Sequence, residues 1–397
     1  MATQDNITAQ DNTATHGTIT ANTSVKKSAK IEVHFRHLTD PRRRRPVYPL
    51  INIVVIAICA VICGADDFVA IAAFGRKKRQ WLSRFLDLSA GIPSHDRFNA
   101  ILAAIRPEEF EKCLLSWITA LHELTGGQVI AIDGKTLRRS FDKATGKAAI
   151  QMVSAWATAN QISLGQVVVD AESNEITAIP KLLEILELSG ALVTIDAAGC
   201  QTEIAQKILD GGGDYILTVK GNQPKLREGI KRYFDDHLAD DFARVKASRH
   251  ETHEKGHGRE ETRWYYVCPV PKDLPDRARW PGVKAIGVAI SSVDRDGKNC
   301  CETRYYILSR YLPAREFAGA VRGHWGIENR LHWQLDVTFR EDQCRVRKGH
   351  ADVNLSILRR AALSMLRNEK TEKVGVKNKR LTAGWDDDYL EQVLVGQ

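Results

Sequence analysis

From Pro46 to about Leu124, apolar residues return every three or four positions, the period of helices that bury one face. The pattern predicts an apolar helix through Val61, a second around Phe68–Phe74, a third from Gln80, and two more over Arg97–Ile105 and Glu108–Leu124. Ser94, just after the turn Gly91-Ile-Pro, is placed to cap the fourth of these. Gly126-Gly127 breaks the period, and strand-like runs take over at Val129–Ile132, Ala149–Thr158 and Ile162–Asp170. Short links between them read as an antiparallel meander. A helix over Ile179–Leu188, a strand over Ala191–Ile195, a helix over Gln201–Leu209 and a strand over Asp214–Lys220 follow, a βαβ alternation with right-handed crossovers. Beyond about residue 223 the rhythm gives way to a polar helix and runs at Thr262–Val267, Val283–Val293 and Thr303–Leu308, which read as a β-rich insertion. Pro313–Val337 and His350–Arg367 read as two closing helices.

The elements divide the chain into a solvated tail over 1–33, an all-helical domain over 34–125 and an α/β domain over 126–397 with its insertion at about 223–310. A mixed five-stranded sheet of order 3-2-1-4-5 makes the first and fourth strands parallel neighbours. Asp133 ends the first strand and Asp196 the fourth, so both emerge at one carboxyl edge, where ligands of open α/β sheets bind. A carboxylate at the tip of a buried strand is costly unless something cationic meets it. With Glu328 supplied from an amphipathic helix, the three acids form an all-oxygen set suited to Mg²⁺ and substrate phosphates, which points to phosphodiester chemistry.

Composition narrows the picture modestly. At 397 residues and 43% apolar content the chain can bury one large core or two smaller ones. Its 57 Lys and Arg against 49 Asp and Glu leave a net charge of +8, which favours a polyanionic partner. The eight cysteines lack paired Cys-x-x-Cys spacing and read as reduced thiols of a cytoplasmic protein. The apolar run Leu50–Cys63 is short of the roughly 20 residues of a membrane span and contains Asn52, so a buried helix is expected.

Other residues fit contacts with nucleic acid. His324, Glu328, His332 and Asp336 recur four apart, a polar stripe that drifts by ~40° per step on an α-helix. The stripe reads as an ordinary solvated face, as a zinc site, or as a catalytic glutamate flanked by histidines that orient it or touch DNA. Lys135 and Arg138 add positive charge beside Asp133, and Gly134 permits close approach there. Lys220 and Asn222 follow a strand at the same edge, while Arg259 and Arg263 lie in a charge-dense hairpin; each is a candidate phosphate contact or simply a polar turn. Trp264, Tyr265 and Tyr266 read either as stacking partners for an unpaired base or as core. Arg42–Arg45 and Arg76–Arg79 put two basic runs on the helical domain.

Taken together, Ile195-Asp-Ala-Ala-Gly-Cys-Gln201, His324-Trp-Gly-Ile-Glu-Asn-Arg-Leu-His-Trp333, Gly91-Ile-Pro-Ser-His-Asp96, Ser173-Asn-Glu-Ile-Thr-Ala-Ile-Pro180, Leu217-Thr-Val-Lys-Gly-Asn-Gln223 and His257-Gly-Arg259 resemble the DDE transposases of bacterial insertion sequences. The branch with the H-repeat-associated proteins is the nearer likeness, from about His34 to the end of the chain. The resemblance implies an RNase H-like catalytic core and two Mg²⁺ ions, with Mn²⁺ able to substitute. It implies Asp133, Asp196 and Glu328 as catalytic acids and metal ligands. It also implies double-stranded DNA as partner, both element terminal inverted repeats and target, with a homodimer pairing two ends in the nucleoid. One departure stands out: transposases outside this branch carry Tyr, Arg and Lys around the glutamate, where this chain has Val321, His324 and Leu335. The rival readings are an RNase H-like nuclease without strand transfer and a DNA-binding regulator that has lost catalysis.

Overall fold

The computed structural model describes residues 31–121, 128–141, 148–169, 173–256, 259–295 and 298–395. The expected tail lies outside them as far as residue 30, while 31–33 open a short helix, α1 (Ile31–Phe35). Next come α2 (Leu50–Ile62), α3 (Phe68–Lys77), α4 (Arg79–Leu82), α5 (His95–Ala104) and α6 (Pro107–Leu121). Side-chain caps start two of them: Asp67 accepts from Ala70 N–H on α3, and Ser94 from Arg97 N–H on α5. Nearly all of α2 is buried, and its one polar interior residue, Asn52, donates to the Asp87 carbonyl at 2.6 Å. Among the described residues no helix is long and apolar enough to cross a membrane.

The α/β part contributes β1 (Val129–Thr136), β2 (Gln151–Ala157), β3 (Ile162–Val168), α7 (Glu175–Glu184), β4 (Leu192–Ile195), α8 (Thr202–Asp210) and β5 (Asp214–Val219). Then follow α9 (Pro224–Leu238), β6 (Ser248–Gly256), β7 (Arg259–Pro269), β8 (Ala285–Arg295) and β9 (Lys298–Leu308). The chain closes with α10 (Ala314–Gly326), a π-helical segment (Ile327–His332), α11 (Trp333–Val337), α12 (Ala351–Asn368), α13 (Val376–Trp385) and α14 (Asp387–Val395).

Strand order is β3-β2-β1-β4-β5-β9-β8-β7-β6. The order 3-2-1-4-5 is present as expected, within a mixed α/β fold with an RNase H-like core. The insertion strands do more than interrupt it: β9 pairs antiparallel with β5, from Ile216 opposite Leu308 to Val219 opposite Tyr305, and carries the same sheet onward. This pairing covers a β5 edge that would otherwise present unpaired backbone groups.

Two elements depart from the sequence reading. The helix expected over Ile179–Leu188 runs Glu175–Glu184, because the Asn174 side chain accepts from Ile176 N–H and starts it early, leaving Pro180 inside. The helical segment is also not closed on itself: α2, α5 and α6 pack around α12, which is buried on every side from Ala351 through Leu366. A helix covered all round needs neighbours from more than one part of the chain.

Candidate active site

Parallel pairing of β1 with β4 ends at Ile132 opposite Ile195, so Asp133 and Asp196 stand one residue further on, side by side. There the strands diverge. β1 continues against β2, with Asp133 opposite Ser154, whereas the chain after β4 turns away. Asp196 directs that turn, its Oδ1 accepting from Ala198 N–H at 3.1 Å and Gly199 N–H at 3.3 Å. Gly199 is confined, since a Cβ there would sit 2.3 Å from Ile195 Cγ2. The Asn222 amide ties the same loop down by donating to the Ala197 carbonyl at 2.7 Å.

Glu328 reaches the notch from above. It lies in the π-helical segment, where Trp333 N–H reaches back to the Glu328 carbonyl, five residues away. Such widened turns recur at functional sites. Here the widening counters the drift of the four-residue stripe, and all four of its members meet the acid-bearing edge. His324 Nδ1 is 3.1 Å from Thr194 Oγ1 on β4, Glu328 lines the acid pocket, His332 Nδ1 is 3.5 Å from Asp133 Oδ2, and Asp336 is 2.5 Å from Lys135 Nζ. Burial pushes both histidines down, His324 to about 4 and His332 to about 3, with Arg360 and Lys135 adding to the shift of His332. Both are neutral at pH 7.

Asp133, Asp196 and Glu328 line one cavity of about 150 Å³ together with Lys220, Arg304 and His324. Burial pushes the Asp133 carboxyl up to about 7, and the charges of Asp196 and Glu328 push the same way. No Lys or Arg forms an ion pair with any of the three among the described residues. Nor do three His, Cys, Asp or Glu side chains there already close on a common point as a metal cage. The site therefore gathers three carboxylates, none of them ion-paired to Lys or Arg among the described residues, in a cavity whose wall also carries Lys220 and Arg304. The oxygen donors of its three acids fit a hard divalent ion.

A fourth acid was not foreseen. Glu175, the first residue of α7, lies over Gly134, where a Cβ would come within 2.9 Å of Oε2 and closer still to Oε1. Burial and the charge of Asp196 raise its carboxyl. Asn174 as an N-cap is the sequence signal that would have brought Glu175 onto the helix, and Gly134 is the signal for a close approach.

Several expected DNA contacts are otherwise engaged. Lys135 is buried, its Nζ 2.5 Å from Asp336 and 2.8 Å from Glu341, so it braces the fold and is not offered to a phosphate. Despite burial, Lys135, Arg360 and Arg359 hold the Glu341 carboxyl down at about 2. Arg263 pairs with Glu261 at 2.5 Å and with Glu254 at 3.1 Å, and Glu254 in turn binds Arg322 of α10 at 2.6 Å. Tyr265 packs in the core against Phe317 of α10, and Tyr306 meets the same ring, at centroid distances of 6.2 and 5.2 Å. Arg304 lies 4.0 Å above the Trp325 ring. The insertion strands thus form the bed on which the Glu328-bearing helix rests. Arg138 and Lys220 remain exposed, and Asn222 is exposed apart from its loop contact. Arg259 opens β7, but its side chain lies outside the described part, as do His257 and Gly258. All eight cysteines are free.

Residues 124–365 match the transposase DDE domain, and residues 33–118 match the domain associated with it. The chain belongs to the DDE transposase family. YncI of Escherichia coli O157:H7, which carries a transposase name, is 43% identical over 362 residues, covering 90% of this chain and 92% of that protein. YhhI of Escherichia coli strain K12, named as H repeat-associated and a transposase, is 40% identical over 376 residues, covering 92% and 98%. Among solved structures, a piggyBac transposase synaptic complex with hairpin DNA aligns loosely, with a TM-score of 0.40 and 10% identity over 94% of this chain and 78% of that one. This protein is accordingly a DNA transposase of the insertion-sequence type, an enzyme of strand cleavage and strand transfer that binds DNA and uses a divalent metal ion.

Proposed function

We propose that Asp133, Asp196 and Glu328 are the catalytic carboxylates of this transposase and hold two Mg²⁺ ions, with Mn²⁺ as substitute. The observation that carries the reading is the register of β1 with β4, which brings Asp133 and Asp196 to one notch that Glu328 also lines. The raised Asp133 carboxyl supports it, since burial and the neighbouring acids hold on this group a proton that a bound cation would displace. Bound divalent ions would activate the attacking water or 3′-hydroxyl and relieve charge on the leaving oxygen.

The chain's own residues supply the frame. The three acids act as ligands in their ionised form, so Asp133 must give up the proton that burial and the neighbouring acids favour. Neutral His332 and His324 keep the surrounding wall free of competing positive charge, and the His324–Thr194 contact fixes the Glu328 helix to the sheet. Lys220, exposed on the pocket wall, meets the backbone phosphate beside the scissile bond. Arg138 at the surface and the exposed Arg43–Arg45 of the helical domain over 34–125 extend the contact along double-stranded DNA at the terminal inverted repeats. Pairing two element ends calls for a homodimer on DNA, in the nucleoid.

The test supplies the protein with duplexes ending in the inverted repeats that flank its own reading frame, with Mg²⁺ or Mn²⁺. Asp133→Asn, Asp196→Asn and Glu328→Gln should each lose cleavage and joining by about 100-fold or more while still shifting the duplex in a gel. Full activity in any one variant overturns that residue's assignment. Cleavage without joining by the parent protein favours the nuclease reading.

A further inference from the structure

Glu175 is not one of the three acids that the DDE pattern names, yet it stands closer to them than its place in the sequence suggests. It leads α7 immediately after the Asn174 cap, and its carboxylate occupies the space that any side chain at residue 134 would need. Gly134 directly follows Asp133, so the missing Cβ forms a cradle beside one carboxylate for the head group of another. The backbone there is ordinary β-strand, paired with Val153, so the glycine is needed for space and not for an unusual dihedral. Glu175 has no Lys or Arg partner among the described residues; its charge helps to raise the Asp133 carboxyl, and the charge of Asp196 helps to raise its own. A solvated first-turn glutamate is favoured by the helix dipole and gains nothing from lying over a strand that already carries an acid. Like charges in that position raise the energy of the folded chain unless a cation joins them.

We infer that Glu175 is a fourth carboxylate of the metal site, which binds a divalent ion directly or through an ordered water and makes the centre of this transposase a four-acid one. The inference rests on the three-carboxylate reading above and adds a residue to it. Its consequences are separable from catalysis. Removing the charge should loosen ion binding and also relieve repulsion in the ion-free protein, whereas loss of a merely helix-stabilising residue would leave ion binding alone and lower stability.

The experiment titrates Mn²⁺ into the full chain without DNA, following free Mn²⁺ by electron paramagnetic resonance, for the parent, Asp196→Asn, Glu175→Gln and Glu175→Asp. Melting temperatures are recorded with and without Mn²⁺. Glu175→Gln should weaken Mn²⁺ binding by about 10-fold or more, melt at or above the parent when ion-free, and gain less on adding Mn²⁺; Glu175→Asp should recover part of the affinity. If Asp196→Asn weakens binding and Glu175→Gln does not, Glu175 is no part of the site and the inference falls while the three-acid reading stands. If neither variant changes binding, the three-acid reading falls and takes this inference with it. A Glu175→Gln protein with parental Mn²⁺ affinity and a lower ion-free melting temperature marks a helix-stabilising residue only.

Discussion

Replacing Lys135 by Met separates the bracing role of this lysine from the DNA contact that its place beside Asp133 suggests. Its side chain is 7% exposed and its Nζ bridges Asp336 at 2.5 Å and Glu341 at 2.8 Å, the latter with a side chain of no exposure at all. Methionine keeps the stem and the volume but leaves Glu341 with only Arg359, Arg360 and the Ser356 hydroxyl, 2.7 Å away, to offset its charge. Removing one partner of a buried pair costs about 3–5 kcal/mol, mostly as the penalty on the charge left behind. The remaining arginines argue for the lower half of that range. Urea unfolding of the full chain should therefore show a loss of roughly 3 kcal/mol for Lys135→Met. Adding Glu341→Gln to it should cost less than the sum of the two single changes, by about 0.5–3 kcal/mol, because the groups are in contact. Affinity for non-specific duplex DNA, measured at a temperature where both proteins are folded, should be unchanged. Parental stability together with weaker, less salt-dependent DNA binding would refute the bracing argument and return Lys135 to the phosphate-contacting role.

Two further outcomes follow from the acid notch. The Asp133 carboxyl is raised from its usual range to about 7, so between roughly pH 4 and 7 the folded chain holds a proton that the unfolded chain has released. Without metal the contribution of this group to stability falls as pH rises through that window and levels off above it. Asp133→Asn should thus gain on the parent with pH, by at most about 4 kcal/mol, in metal-free unfolding from pH 4 to 8, and parental Mn²⁺ affinity should climb over the same interval; a flat difference would remove the buried-acid argument. Gly199→Ala sets a methyl 2.3 Å from Ile195 Cγ2 and 2.9 Å from Ile179 Cδ1. A loss of about 1–3 kcal/mol on unfolding and a sharp fall in cleavage are expected, since the displaced turn is the one Asp196 organises; parental activity would show that the loop tolerates the shift.

The apolar periods alone carried the helices around Leu50–Ile62 and Pro107–Leu121, and runs bounded by turns carried the strand order 3-2-1-4-5. From that order the adjacency of Asp133 and Asp196 followed, because the parallel pairing of the two strands stops just before both, although β1 itself runs on to Thr136. Local periodicity and topology are written along the chain, and motifs such as Ile195-Asp-Ala-Ala-Gly resolve the family on their own. What a charged side chain meets is not written there. Lys135 and Arg263 look like surface bases in sequence and turn out to be spent on Glu341 and Glu254, acids that lie in other elements. The π-helical turn under Glu328, the gathering of α2, α5 and α6 around α12, and the descent of Glu175 onto Gly134 likewise depend on packing between segments remote in the chain. Sequence determines which faces must be buried and which strands can pair; only the folded arrangement decides which charges neutralise one another and which are left unpaired.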